Sequence, residues 1–157
     1  MSNFQDKLFF LDKIKDNIEA IVDFGCANGE LIKALQALFG EYRYVGYDIN
    51  AEMLSAARKN VPSAEFYSDW NEVKEDFTDS LLNISSTIHE VYSYSLQEEI
   101  EMFWQRVFES GFKYVAIRDM MLSDTEQMDA DAEQYNLVVK NEKYADKLKD
   151  YETVWGK

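Results

Sequence analysis

The residues most able to do chemistry lie in one segment, Ile21–Gly29, which reads IVDFGCANG. Its apolar start is typical of a buried strand, and the small residues after it indicate a tight turn that leads into a helix. Gly25 and Gly29 supply the backbone freedom and the missing side chains that a close approach to a ligand requires. A strand, a glycine turn and a helix in this order are typical of the nucleotide-binding corner of a doubly wound sheet.

Charge indicates which kind of ligand this corner would accept. A dinucleotide site favours glycine at the position that Glu30 holds, and a helix N-terminus open to a negative pyrophosphate. Glu30 instead brings a negative charge to the first helical turn. Asp23 stands two residues before Gly25, where a dinucleotide-binding strand is usually apolar. Both acids therefore favour a positively charged ligand.

Two further acidic residues end predicted strands. Asp48 lies 23 residues beyond Gly25, close to the spacing of about 20 residues at which an acid holds ribose hydroxyls. Asp69 ends the next short strand. With Asp23, they would place three carboxylates at one edge of one sheet. A structural interpretation stays open for both, because Asp48 precedes the candidate N-cap Asn50 and Asp69 could itself cap a short helix.

The elements that must position these residues alternate along the chain. Strands are predicted at 21–24, 42–48, 64–70, 81–86 and 113–117. Helices are predicted over 4–17, over 30–39, and from a capping box at Ser95–Glu98 to Gly111. Strands that alternate with helices indicate an α/β fold with a parallel sheet.

Four segments carry a resemblance to a known family: IVDFGCANG, VGYDIN, YSDW and LNISSTIHEVYSY. In this order and at this spacing they resemble the motifs of class I S-adenosylmethionine-dependent methyltransferases, over roughly residues 18–121. The resemblance implies a doubly wound, Rossmann-like methyltransferase fold with strand order 3-2-1-4-5. It also implies S-adenosyl-L-methionine as the cofactor and methyl transfer as the activity.

The resemblance assigns a role to each candidate site residue. Gly25, Ala27 and Gly29 would wrap the methionine part, with Ala27 in place of the family's middle glycine. Asp23 would help to place the amino group, and Asp48 would hold the ribose. The remaining cofactor-binding candidates are Cys26 in the turn, Ile49 beside Asp48, Asp69 at the adenine amino group, Trp70 near the base and Ser85 facing methionine. No metal site is expected.

The C-terminal part departs from the family pattern. Members usually end the sheet with an antiparallel hairpin, whereas here only Leu137–Val139 could form a strand, and 144–155 has a helical pattern. The hairpin is therefore expected to be missing from a single domain over 1–157, as in a C-terminally shortened form. A missing hairpin would expose the fifth strand. Residues 126–155 are expected to cover that strand, or a second copy would, as a homodimer.

His89 is the candidate general base, because it follows the fourth strand and is the one histidine in the chain. The structural alternative is that it packs or caps at a helix start. The methyl acceptor is expected to be a small molecule or a protein. Neither an Asn-Pro-Pro-aromatic nor a Pro-Cys motif is present, which argues against nucleic acid methylation.

Composition agrees with these expectations. A formal net charge of −14 opposes association with nucleic acids or anionic membranes. A single cysteine excludes an internal disulfide, and no signal peptide or long apolar run is visible, so a cytoplasmic protein is expected. Two other functions stay open: a non-catalytic module that binds S-adenosylmethionine, and a nicotinamide-dependent oxidoreductase, which Asp23 and Glu30 disfavour.

Overall fold

The computed structural model describes residues 7–40, 42–73, 78–120, 132–141 and 149. The chain divides into two compact units, Met1–Met120 and Met121–Lys157. The prediction of a single domain over residues 1–157 stays a prediction. Within the described ranges, no helix combines the length and the apolar character that crossing a bilayer requires.

The first unit is built on a parallel sheet with helices between its strands. The strands are β1 (Ala20–Phe24), β2 (Arg43–Tyr47), β3 (Glu65–Tyr67), β4 (Ser80–Ser85) and β5 (Tyr114–Arg118). The helices are α1 (Glu30–Phe39), α2 (Ala51–Asn60), α3 (Ile88–Tyr94) and α4 (Gln97–Glu109), with short 3₁₀ turns at Leu11–Lys13 and Trp70–Glu72. All strand pairs are parallel in the order β3-β2-β1-β4-β5, which confirms the predicted fold class and strand order.

Side chains from both faces of the sheet are buried. Ile21 and Val22 are neighbours on β1 and both fully buried, yet they belong to different clusters because successive strand residues point to opposite faces. Ile21 shares its cluster with residues of α1 and α2, such as Leu35 and Leu54. Val22 shares its cluster with Val107 of α4. Helices therefore cover both faces of the central strands, as a parallel sheet requires.

Local capping residues explain where two of the helices begin. Asn50 caps α2, because its Oδ1 accepts hydrogen bonds from the backbone N–H groups of the next turn, so the predicted N-cap is confirmed. The predicted capping box at Ser95–Glu98 is wrong by one residue. The Glu99 carboxylate accepts from Leu96 N at 2.7 Å, and Leu96 is the N-cap of α4. Ser95 cannot take that role because its backbone N–H is bonded to Val91 O at the end of α3.

The leading segment differs from its prediction. Residues 4–6 of the predicted helix over 4–17 lie outside the described residues, and from residue 8 onward the segment forms turns and one 3₁₀ turn, Leu11–Lys13. The apolar residues serve as anchors instead: Phe10 and Ile18 are buried in the cluster that contains Ile21. The helical pattern here reflects how the segment docks onto the core.

The described part of the second unit contains one helix, α5 (Ala132–Val139). The strand predicted at Leu137–Val139 is therefore wrong, since these three residues are the last turn of α5. Apart from residue 149, the helix predicted over 144–155 lies outside the described residues. Most of residues 126–155, the segment predicted to cover β5, also lies outside the described residues. Among the described residues, no strand follows β5.

Candidate functional site

The glycine turn is fastened to the end of β2 by its own N–H groups. The backbone N–H groups of Gly25 and Cys26 both donate to Tyr47 O, at 2.8 and 3.0 Å. The next N–H, that of Ala27, donates to Asp48 Oδ2 at 2.8 Å. Three successive donors of the turn are thus satisfied within the protein, and the turn is held against the strand that carries Asp48.

The turn also depends on unusual backbone angles. Gly25 has a φ of 78°, and a Cβ built there would lie 2.8 Å from Thr87 Cγ2 and closer still to its Oγ1. A side chain at this position would therefore collide with the start of α3. Ala27 has a φ of 46°, a left-handed conformation that costs an L-residue roughly 1–2 kcal/mol. Alanine is therefore accommodated at the family's middle-glycine position, but with backbone strain.

Asp48 is the polar group that joins the turn to the following helix. Its Oδ2 accepts from Ala27 N, while its Oδ1 accepts from Asn50 N at 2.8 Å. A carboxylate has about four acceptor positions, so both oxygens can still accept from a ligand hydroxyl. Ile49 follows with 83% of its surface exposed. Asp48 and Ile49 both line the cavity described below.

Under the turn lies a cluster of buried polar side chains. Asp23 is 3% exposed and accepts a 2.6 Å hydrogen bond from Asn83 Nδ2, across the pair of strands β1 and β4. Burial raises the pKa of Asp23 to about 6, against the opposing effect of the Asn83 hydrogen bond. Asn83 Oδ1 and Ser85 Oγ are buried and, within the described part of the chain, have no hydrogen-bond partner. Unsatisfied buried acceptors are costly, so this cluster is suited to a ligand that donates hydrogen bonds.

A cavity of about 520 Å³ opens beside the turn on the α4 side of the sheet. Its walls combine aromatic and aliphatic side chains with a few charged ones. They are formed by Phe24, Gly25, Tyr47, Asp48, Ile49, Trp70, Thr87, Glu90, Val91, Tyr94, Ser95, Glu99, Met102, Phe103, Arg106 and Val107. The ring of Trp70 packs against those of Phe24 and Tyr47, with centroid distances of 5.2 and 5.3 Å, and these two rings also contact each other at 4.7 Å. The chamber has the size and the aromatic walls of a site for a nucleoside-sized ligand.

Two cofactor-binding candidates have structural roles that are visible in the fold. Asp69 is the N-cap of the 3₁₀ turn Trp70–Glu72, and its Oδ1 accepts from both Asn71 N and Asn71 Nδ2. The structural interpretation of Asp69 is thus confirmed, while its contact with adenine stays a prediction. Cys26 is buried in the core, and burial raises the pKa of its thiol, which makes it a filler and not a nucleophile.

His89 lies apart from the cavity walls, at the first turn of α3. Its Nδ1 is 2.7 Å from Asp119 Oδ1, and its backbone N–H donates to Asp119 Oδ2 at 3.0 Å. Asp119 directly follows β5, and its side chain is almost fully buried. The general-base role of His89 stays a prediction at this point, and the structure adds its pairing with Asp119.

The structure thus brings together part of the predicted set. The cavity is lined by four of the predicted residues: Gly25, Asp48, Ile49 and Trp70. The buried cluster contains two more, Asp23 and Ser85, and the turn is shaped by Ala27 and Gly29. The cavity lining does not include Cys26, Asp69 or His89.

The sequence suggested Tyr92 and Tyr94 as pocket-lining residues, and of these Tyr94 lines the cavity. Asn83, the rest of the cavity wall from α3 and the wall from α4 were not identified. A signal for the α3 part existed, because Thr87, Glu90, Val91 and Tyr94 are spaced as one face of a helix.

Comparison with known proteins gives concordant results. The family model of a methyltransferase domain matches residues 21–116. A release factor glutamine methyltransferase of Buchnera aphidicola subsp. Acyrthosiphon pisum (strain APS) is 27% identical over 128 residues, which cover 80% of this chain and 45% of that protein. The chain therefore spans less than half the length of this curated relative.

Two solved structures share the fold. The methyltransferase domain of bacterial-CtHen1-C aligns with a TM-score of 0.54 at 16% identity, over 72% of this chain and 63% of that one. The domain of bacterial-CtHen1-CN aligns with a TM-score of 0.51 at 15% identity, over 71% and 62%. At these identities the likeness concerns the fold alone.

Proposed function

Because the chain belongs to the class I S-adenosylmethionine-dependent methyltransferase family, we propose that it transfers a methyl group from S-adenosyl-L-methionine to a small-molecule or protein acceptor. The observation that carries the proposal is the meeting of the glycine turn, Asp48 and the aromatic cavity at one edge of the sheet. This arrangement offers carboxylates and aromatic surface beside a tight backbone turn.

The hydrogen bonds of the turn support a cationic ligand over a dinucleotide. A pyrophosphate would need backbone N–H groups pointing at it. Here these groups already have acceptors within the protein. The N–H groups of Gly25 and Cys26 donate to Tyr47 O, and that of Ala27 donates to Asp48 Oδ2. The N–H of Gly29 donates to Cys26 O. These donors are therefore unavailable to a pyrophosphate, while Asp48 offers carboxylate oxygens at the cavity. Both features favour S-adenosylmethionine over the nicotinamide-dependent alternative.

The residues present fit the adenosyl ligand. Asp48 would accept from the ribose hydroxyls, with Ile49 and Trp70 flanking the base. Asp23 would face the ammonium group, and the unpartnered Ser85 Oγ would be a further acceptor beside it. When bound, S-adenosylmethionine supplies a methyl group that its sulfonium already activates, so the protein's contribution is mainly to position the two reactants and exclude water.

The acceptor is proposed from charge and from one relative. The net charge of −14 opposes nucleic acid, and the cavity walls carry Glu90 and Glu99 against a single arginine, Arg106. The Buchnera relative is by name a methyltransferase of a release factor glutamine, which is a protein acceptor. A small molecule or a protein is therefore favoured.

Calorimetry with S-adenosylmethionine, S-adenosylhomocysteine and NAD⁺ tests the cofactor. We expect both adenosyl ligands to bind and NAD⁺ not to bind; the reverse pattern would overturn the proposal. Tritiated S-adenosylmethionine then tests activity, with label measured separately in the protein and low-mass fractions of a cell extract. Tight binding without label in either fraction would favour the non-catalytic module.

A further inference from the structure

One stripe of α4 forms a wall of the cavity, and a glutamate begins it. The residues of this stripe are one helical turn apart, the spacing of a single helix face. They are Glu99, Met102, Phe103, Arg106 and Val107. Between its two charged members the stripe is apolar. Glu99 therefore places a carboxylate at one end of an apolar wall.

The packing of α4 on the sheet fixes the level at which Glu99 stands. The ring centroid of Phe103 is 5.2 Å from that of Phe24, the last residue of β1. Val107, one turn later in the helix, shares the cluster of Val22, two residues earlier in the strand. The helix thus runs antiparallel to β1. Glu99, one turn before Phe103, therefore lies beyond the end of the strand, at the carboxyl edge of the sheet.

Asp48 stands at the same edge, on the sheet side of the cavity. It follows Tyr47, which is paired in register with Phe24. The chamber thus has a carboxylate on each of two facing walls, Asp48 from the sheet and Glu99 from α4. In adenosine the ribose hydroxyls and the exocyclic amino group lie at opposite ends of the molecule. A nucleoside whose ribose is bound at Asp48 and whose base enters the cavity would turn that amino group toward α4.

The capping box of α4 holds the Glu99 side chain in place. Its Oε2 accepts from Leu96 N at 2.7 Å, and within the described part of the chain its Oε1 has no partner. A carboxylate oxygen can only accept, so this fixed group is suited to a ligand that donates. Glu90 of α3 also lines the cavity, but among the residues that the structure describes no hydrogen bond holds its carboxylate.

We propose that Glu99 selects the adenine base of the cofactor, because its Oε1 accepts a hydrogen bond from the exocyclic amino group. This inference rests on the proposed function. It gives to α4 the contact that the family resemblance implies for Asp69, which caps a 3₁₀ turn and does not line the cavity. Since Glu99 is exposed to solvent, the contact should be worth about tenfold in affinity.

Glu99→Gln tests the contact without removing the capping box. A glutamine serves in the box as well as a glutamate does. Its side-chain oxygen would accept from Leu96 N, as Oε2 does in the wild type. The amide nitrogen would then take the place of Oε1 and present a donor to the cavity in place of an acceptor. The variant should therefore reverse the preference of the site at one position of the base.

Three ligands that differ only at this position of the base make the test, by calorimetry. They are S-adenosylhomocysteine, its analogue with hydrogen in place of the exocyclic amino group, and S-inosylhomocysteine, which carries a carbonyl oxygen there. The wild type should bind the amino ligand about tenfold more tightly than the hydrogen analogue, and Glu99→Gln should abolish this preference. The variant should also bind S-inosylhomocysteine about tenfold more tightly, relative to S-adenosylhomocysteine, than the wild type does.

Glu98→Gln is the matched control, because it makes the same change one residue earlier, at an exposed position that does not line the cavity. It should leave all three affinities unchanged. If the wild type does not distinguish the amino ligand from the hydrogen analogue, the inference is wrong. It is also wrong if the preference survives Glu99→Gln and is lost in Glu90→Gln or Asp69→Asn. If no ligand binds to the wild type, the proposed function fails as well.

Discussion

Asp23→Asn is expected to stabilise the protein at neutral pH while weakening its hold on the amino group of the cofactor. Asp23 is 3% exposed, and its pKa in the folded protein is about 6, compared with an ordinary value of 3.8. The difference of about 2.2 units, at 1.36 kcal/mol per unit, corresponds to about 3 kcal/mol of folding free energy lost when this side chain ionises. Asparagine keeps an oxygen that can accept from Asn83 and carries no charge.

The sign of the pH dependence follows from the direction of the shift. Between pH 3.8 and about 6 the folded protein holds this proton more tightly than the unfolded chain does. Stability of the wild type therefore falls as pH rises through this window, and the deficit is complete above the folded-state pKa. The amide that replaces the carboxyl in the variant does not titrate, so the advantage of the variant over the wild type should grow by about 3 kcal/mol across the same window.

Urea unfolding of both proteins at about pH 3.5 and about pH 7.5 measures this difference, because the other ionisable groups are common to both proteins and cancel. Asp79→Asn, at an exposed ion pair, should change the free energy of unfolding by less than about 1 kcal/mol at either pH. An advantage of Asp23→Asn that is the same at both pH values would refute the reasoning.

Two ligands test whether Asp23 binds the amino group of the cofactor. S-adenosylhomocysteine carries the amino group, and 5′-methylthioadenosine lacks the whole amino acid part. Asp23→Asn should weaken binding of the first by about tenfold and leave the second unchanged, as expected for the loss of one charge-assisted contact. Equal weakening of both ligands would place Asp23 away from the amino group.

Three further changes test the turn and the sheet edge. Gly25→Ala should destabilise the fold by roughly 1–2 kcal/mol and abolish binding of S-adenosylhomocysteine by calorimetry, because φ is 78° and the new Cβ would collide with Thr87. Ala27→Gly should raise the free energy of urea unfolding by roughly 0.5–1 kcal/mol, since it removes left-handed strain at a smaller entropic cost. Val115 and Ile117 of β5 are exposed. If a second copy covers this strand, light scattering should give the mass of a dimer for the wild type and of a monomer after both residues are changed to Lys. A monomeric wild type would refute the homodimer.

Most of the fold was predictable from the sequence because it depends on local patterns. The bounds of α1 agree with the apolar spacing and the glycines at both ends of the helix. Asn50 caps α2 as predicted, since a cap involves only residues two or three positions apart. The errors are local too. Ser95 is not the N-cap of α4, because its backbone N–H donates to Val91 O at the end of α3. The sequence pattern had not predicted α3.

The candidate site was predictable only in part. The acids at strand ends could be found because parallel strands bring their carboxyl ends to one edge, a rule that needs only strand order. Whether each acid lines the cavity depends on side-chain direction, which is why Asp48 lines it and Asp69 instead caps a short turn.

The alternation of strands and helices, the glycine turn and the acidic character of the sheet edge follow from residue spacing, backbone preference and charge, all of which can be read from the amino-acid order. The side-chain pairings on which the chemistry depends arise only when the chain is folded. Asp23 meets Asn83 across 60 residues and His89 meets Asp119 across 30. Such contacts depend on how strands register and helices dock, and no local pattern of residues encodes the distance between two side chains that the fold brings together.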